Sequence, residues 1–394
     1  MLPLRNPFSK TVVNDDEPFC NQQELLRVFL LEARSGNNNV LLAPRRSGKT
    51  SLAKRVIRDY RAAGGMATLA DLSSVPSVDA AADRIATALF SSLSLEKKLF
   101  QSLAQLVSGF APNLTMNPDG SFTLSATPTG HYKSGLERLV SVVESFDRIS
   151  AKMPTPLLVV LDEFQDLALL QGSAEIEAAM RTVIQHQKVS YLFVGSRRQI
   201  LRDMFESPKR AFYRGATMRN LPKIIPDEFI IHLMALVKDA GALWQRETVA
   251  MIVSVARSHT YTVTAVAHAL YEATAPRTPT LEEGNAAVTV AAANETTLFV
   301  SMYASLTPQA RLLLEALAAE PAKHPMAGDF IRRHRLSTPG TVSKSLIALK
   351  QEDHVEIDEN GTIVFTDPLF ERWMNTRWRH QIVTLQLPIA TNLS

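Results

Sequence analysis

One stretch constrains this chain more than any other: Val40-Leu41-Leu42-Ala43-Pro44-Arg45-Arg46-Ser47-Gly48-Lys49-Thr50-Ser51. It is followed by Leu52 to Tyr60, with apolar residues at helical spacing. The apolar run is short enough for a buried strand, and the helix follows after a tight loop. In that order the backbone N–H groups of the loop and the helix N-terminus face a polyphosphate. Pro44, Arg45, Arg46, Ser47, Gly48, Lys49, Thr50 and Ser51 form the expected cradle. Lys49 is expected to reach the β- and γ-phosphates, and the Thr50 hydroxyl to ligate Mg2+. Ala43 stands where such loops usually carry their first Gly, so the reading rests on context. The competing reading is a basic turn capping an ordinary helix.

A second stretch fixes the kind of sheet. Leu157-Leu158-Val159-Val160-Leu161 runs into Asp162-Glu163-Phe164-Gln165-Asp166. A strand apolar throughout is buried on both faces, as in a parallel sheet covered by helices. Acids at its C-terminal end lie where open α/β sheets bind ligands. With the phosphate loop upstream, Asp162 is expected to hold Mg2+ through water and Glu163 to polarise an attacking water. Alone, the pair also fits a helix cap. Tyr191-Leu192-Phe193-Val194 is another buried strand, ending in Gly195-Ser196-Arg197-Arg198. Ser196 either senses a γ-phosphate or caps the helix from Arg197. Asp71, ending the strand Met66–Leu72, either approaches the phosphates or caps its turn. Beyond Pro208, Arg210 and Arg214 are candidates for stabilising transferred charge, from the same chain or from a neighbour. The rings of Phe212 and Tyr213 are expected to anchor that segment on the sheet.

At 394 residues with 46% hydrophobic and 21% charged residues, the chain is expected to form two or three globular domains. Its net charge of +3 does not by itself imply nucleic acid. The single cysteine, Cys20, excludes an intrachain disulfide and fits a reducing, cytoplasmic compartment. Met1 to Phe8 has no apolar core of a signal peptide, and no apolar run approaches the ~20 residues that span a bilayer. Residues 1–21 read as an extended arm laid over the domain that follows. Residues 22–225 read as the phosphate-loop domain, with a hairpin insertion at 110–130 around Asn117-Pro118-Asp119-Gly120, and a helix break near Ser94. From Pro226 strands stop, and 226–300 read as a helical lid. Residues 301–380 carry three helices and two strands flanking Asp358-Glu359-Asn360-Gly361, a winged-helix pattern with a terminal helix bearing Trp373 and Trp378. Residues 381–394 read as a tail.

Asn6-Pro7-Phe8, Phe19-Cys20-Asn21, Pro44 to Leu52, Asp162-Glu163-Phe164-Gln165, Gly195-Ser196-Arg197 and Phe212-Tyr213-Arg214 follow one another in order. That series resembles the archaeal-type ATPases, also found in bacteria, of the wider STAND/AAA+ P-loop group. The resemblance covers roughly residues 5–375. It implies an α/β fold: an ASCE-type P-loop parallel sheet with a helical lid and a C-terminal winged helix, binding ATP or ADP with Mg2+. Gln22 replaces the arm's usual Arg, and Ser258-His259-Thr260-Tyr261 replaces a Gly-Gly-x-Pro-like lid turn.

Three roles stay open. The chain reads as a nucleotide-driven conformational or oligomerisation switch that forms a homo-oligomer. It also reads as a DNA-binding protein: Arg332, Arg333 and Arg335 precede the recognition helix, on which Lys344 and Lys350 lie, and such charges contact phosphates. The third reading is a signalling or phage-defence scaffold with a separate effector protein, its winged helix contacting protein. None involves a membrane.

Overall fold

A parallel five-stranded sheet organises residues 22–222. The computed structural model describes residues 6–8, 20, 22–93, 100–116, 122–129, 132 and 134–376. The helix α1 (Gln23–Arg34) precedes β1 (Asn39–Leu42), which leads through the phosphate loop into α2 (Lys49–Ala62). Then come β2 (Ala67–Asp71), α3 (Val78–Leu93), α4 (Phe100–Ala104), the hairpin β3 (Phe110–Met116) and β4 (Phe122–Pro128), and α5 (Gly135–Ser150). The strand β5 (Leu157–Asp162) runs into a 3-10 turn at Phe164–Leu169, followed by α6 (Ser173–Ile184), β6 (Val189–Gly195), α7 (Arg198–Glu206) and β7 (Thr217–Asn220). Every residue of β1, β5 and β6 is buried, as apolar parallel strands require. Asn117–Gly120, Ser94 and residues 377–394, with Trp378 and the tail, lie outside the described residues.

Strand order decides what meets at the sheet's C-terminal edge. It is β2-β5-β6-β1-β7, so β6 lies between the phosphate-loop strand and the strand ending in Asp162. Leu42 pairs with Gly195 and Leu161 with Phe193. The chain therefore leaves β1, β5 and β6 side by side, at Ala43, Glu163 and Ser196. Beneath them Phe164, Phe193, Phe205 and Phe212 form one aromatic cluster, with centroids 4.5 Å apart for Phe164–Phe193 and 5.4 Å for Phe164–Phe212.

The second unit combines residues 6–8 and 20 with 223–376. It contains α8 (Pro226–Asp239), α9 (Arg246–Val255), α10 (Thr260–Thr274), α11 (Leu281–Asn294), α12 (Thr296–Ser305), α13 (Pro308–Ala319), α14 (Gly328–Arg333) and α15 (Pro339–Gln351). A wing, β8 (Val355–Ile357) and β9 (Ile363–Phe365), and α16 (Pro368–Asn375) complete it. Local chemistry sets the helix starts. Thr307, Thr338 and Asp367 each cap a helix whose first residue is Pro, and Thr280 with Glu283 makes a capping box for α11. His259, in the replaced lid turn, caps α10 by accepting from Thr262 N–H. Residues 226–300 and 301–376 share one core, in which Phe299 packs on Phe370 and Trp373. Contrary to the expectation of an arm laid over the domain that follows, residues 6–8 group with the second unit. Phe8 is buried against Trp244 and Tyr271, at 5.5 and 6.1 Å between ring centroids, and Asn6 Nδ2 donates to His268 O. Seating the phenyl ring among these aromatic side chains removes its apolar surface from water.

Candidate nucleotide site

The loop between β1 and α2 curls tightly. Arg46 and Gly48 both take left-handed backbone, at φ 61° and 93°, and Ser47 Oγ donates to Pro44 O at 2.7 Å. A chain curled this way turns successive N–H groups inward as an anion nest. The first turn of α2 has no side-chain cap, because Gly48 occupies the cap position. Its orphan N–H groups suit a phosphate.

Six side chains converge at that turn. Lys49 Nζ lies 2.6 Å from Glu163 Oε1, in an ion pair with both partners largely buried. Thr50 Oγ1 donates to Asp162 Oδ2 at 2.7 Å. Ser196 donates twice to Glu163 Oε2, from Oγ at 2.9 Å and from its backbone N–H at 3.2 Å. Gln165 Nε2 adds a third donor to the same oxygen at 2.6 Å. Glu163 itself sits at φ 52°, a left-handed conformation uncommon outside Gly, and caps no helix with its side chain. Ser196 is not a helix cap either, since α7 begins at Arg198 without one. Asp71 does the local job, accepting from Ser73 N–H at 2.8 Å with its side chain exposed.

Burial pushes the Asp162 carboxyl above its ordinary value, against the pull of the Lys49 ammonium and the Thr50 hydroxyl. Burial also acts upward on Glu163. There the Lys49 ammonium and the donors from Gln165 and Ser196 outweigh it, and the carboxyl is held below its ordinary value. The paired oxygens of Thr50 and Asp162 are the hard donors Mg2+ takes. Among the described residues no group of three His, Cys, Asp or Glu side chains could hold a metal. An ion here would therefore complete its shell with phosphate oxygens and water, as Mg2+ commonly does. The residues fit both nucleotide and ion.

A Walker-type ATPase of Pyrococcus abyssi superposes with a TM-score of 0.68 at 15% identity, over 94% of this chain and 100% of that one. This chain shares the fold of that protein. The ORC2 protein of Aeropyrum pernix, in ADPNP–ADP complexes, superposes with a TM-score of 0.54 at 16% identity, over 96% and 98% of the two chains. The family described as "Probable winged helix domain" matches residues 297–376. No curated protein matches in sequence. Among the described residues, no helix is long and apolar enough to cross a membrane.

Within this P-loop ATPase fold the two finger candidates differ. Arg210 is committed to the buried carboxylate of Glu177, through Nε at 3.0 Å and its terminal nitrogen. Arg214 is exposed, at φ 54°, its N–H bonded to Phe205 O at 2.9 Å and its guanidinium over the Tyr213 ring. Phe212 alone anchors the segment in the aromatic cluster, because Tyr213 stacks under Arg214 instead. In the winged helix the basic run is partly neutralised. Arg333 pairs with Glu320 at 2.7 Å and Asp329 at 3.2 Å, and His334 meets Glu320 at 2.9 Å. Arg332, Arg335 and Lys344 are exposed. Residues 297–376 contain ten Asp and Glu against eight Lys and Arg.

Two partners in the site carry little sequence signal. Gln165 is a polar residue after an acidic pair, and nothing in the sequence marks it as buried, yet it is. Gly195 faces it, and a Cβ there would lie 1.9 Å from Gln165 Oε1. A Gly ending an apolar strand beside a Ser is the available signal for such an approach.

Proposed function

We propose that this chain binds and hydrolyses ATP with Mg2+, and uses the cycle as a conformational or oligomerisation switch. The observation that carries the reading is the meeting of Lys49, Thr50, Asp162, Glu163 and Ser196 at the ends of three adjacent strands. Thr50 and Asp162 would hold Mg2+, which supplies charge neutralisation on the transferred phosphoryl when bound. Lys49 is committed to Glu163 in the described state. When its ammonium turns to phosphate, Glu163 Oε1 loses that partner and can accept a proton from water. Ser196 keeps Oε2 oriented meanwhile. The adenine nucleotides in the Aeropyrum pernix ORC2 complexes support the choice of ligand.

For the winged helix, contact with protein is the better-supported reading. Its acidic balance, the pairing of Arg333 and the wing acids Glu356, Asp358 and Glu359 oppose a DNA phosphate backbone. The α15 face carries exposed Ile347, and the wing exposed Ile357. Calorimetric titration with Mg·ATP, alongside a turnover assay, tests the central reading. The parent chain is expected to bind and turn over ATP, and Lys49→Ala to do neither. Binding unchanged by that substitution would remove the assignment.

A further inference from the structure

We infer that Gln165 is a positioning residue for hydrolysis, acting through Glu163; the inference rests on the ATPase reading above. Gln165 is buried to 1% exposure. Its Nε2 donates to Glu163 Oε2 at 2.6 Å and to Asp166 Oδ1 at 3.1 Å. Two ionised carboxylates accept only, so the NH2 end must face them and the carbonyl end must face away. That carbonyl oxygen, Oε1, is buried with no hydrogen-bond partner among the described residues. It lies against the backbone of Gly195, where any Cβ would collide with it. A buried amide with half its capacity unused is held in place by what its other half does.

The other half ties the glutamate to the rigid rim of the sheet. Asp166 Oδ2 accepts from Ser74 N–H at 2.7 Å, in the turn after β2. Arg84 braces the same turn by donating to Asp71 O and Ser73 O, at 3.1 and 2.7 Å. Glu163 is thus held at its two oxygens by different kinds of partner. Lys49 on Oε1 leaves when phosphate arrives. Gln165 and Ser196 on Oε2 stay. The carboxylate then turns about a fixed oxygen and does not swing free. Ser196 holds that oxygen through its hydroxyl and its backbone N–H, and the amide of Gln165 adds a third, shorter bond from the carboxylate's own segment.

Gln165→Met keeps length and volume and deletes the amide. The expected result is a kcat at least ~10-fold lower, since misplacing a catalytic group by about 1 Å can cost ~10²-fold. The KM for ATP and the calorimetric affinity for Mg·ADP should be unchanged. A second readout needs no turnover. Gln165→Met should lower the urea midpoint more in the parent than in a Glu163→Ala background, where only the Asp166 acceptor remains to be lost. A packing role would lower both equally, and would overturn the proposal. If the Met variant does not fold, Gln165→Glu keeps the shape and replaces the donor by an acceptor, with the same expected loss of kcat. Turnover insensitive to Lys49→Ala would end the ATPase reading, and the proposal with it. A Lys49-dependent ATPase indifferent to Gln165→Met would overturn the proposal alone.

Discussion

Charged side chains are used in opposite ways in the two units of this molecule. At the edge of the sheet, Lys49 meets Asp162 and Glu163 from a distant part of the chain, and all three are largely buried. Around α14 of the winged helix, charges come from neighbouring segments, stay at the surface and pair with one another. A buried pair that loses one partner leaves an uncompensated charge, at about 3–5 kcal/mol. An exposed pair is worth about 0–1 kcal/mol. In the first arrangement, a ligand that takes one partner changes the state of the other. The second commits Arg333 to carboxylates and only trims the surface charge.

The contrast is most exposed to test at Arg214. Its lack of a carboxylate among the described residues suits charge stabilisation in a neighbour's site, an effect worth ~10³-fold or more in rate. Arg214→Ala should keep ATP binding and lose any turnover that rises with protein concentration. Mixing it with Lys49→Ala should restore part of that turnover. Specific activity flat with concentration, and a dead mixture, would return Arg214 to a structural role. Arg210→Ala should behave differently. It strands buried Glu177, so urea unfolding should report a loss of about 3–5 kcal/mol, with ATP affinity retained in the folded fraction. A fully stable variant would mean that Glu177 is served by water.

Next in size, Glu163→Gln should retain ATP and slow hydrolysis at least ~10²-fold, the lower end for a positioned base. Asp162→Asn should instead weaken the Mg2+ dependence of binding. Wild-type rates in both would undo the convergence at the strand ends. The smallest effect belongs to the winged helix. Replacing Arg332, Arg333 and Arg335 together by Ala should change stability by about 1 kcal/mol or less and leave DNA retention at low salt unaltered. A log–log salt slope that falls by about three on that replacement would show three phosphate contacts. It would break the contrast drawn here.

The sheet and its strand ends were legible because wholly apolar runs followed by acids have few other uses. The helix starts of the second unit were legible because Thr-Pro and Asp-Pro carry their own capping chemistry. What stayed hidden depends on pairing across the chain. Glu177 reads as a surface acid in α6, yet it is buried against an arginine 33 positions away. Ser196 sits at a strand end as its position after an apolar run implies, but a capping hydroxyl accepts from a backbone N–H whereas this one donates to Glu163, and sequence does not separate the two. Gln165 looks like an ordinary polar residue after an acidic pair, and its role rests on the missing side chain of Gly195. Phe8, near two breakers, gave no sign of which unit holds its slot.

The seat of that phenyl ring bears on the order in which the molecule can be made. Phe8 leaves the ribosome before any of the sheet, and Trp244 and Tyr271 leave it after all of the sheet. The sheet-bearing unit is therefore synthesised as an insert within the other unit's fold, and the second unit's core stays unfinished until a segment made before the sheet returns to it. Such a long closure is cheap in chain entropy, each doubling of length adding only about 0.6 kcal/mol. A fusion partner placed ahead of residue 6 would accordingly disturb the last core to close, although in sequence it adjoins the first.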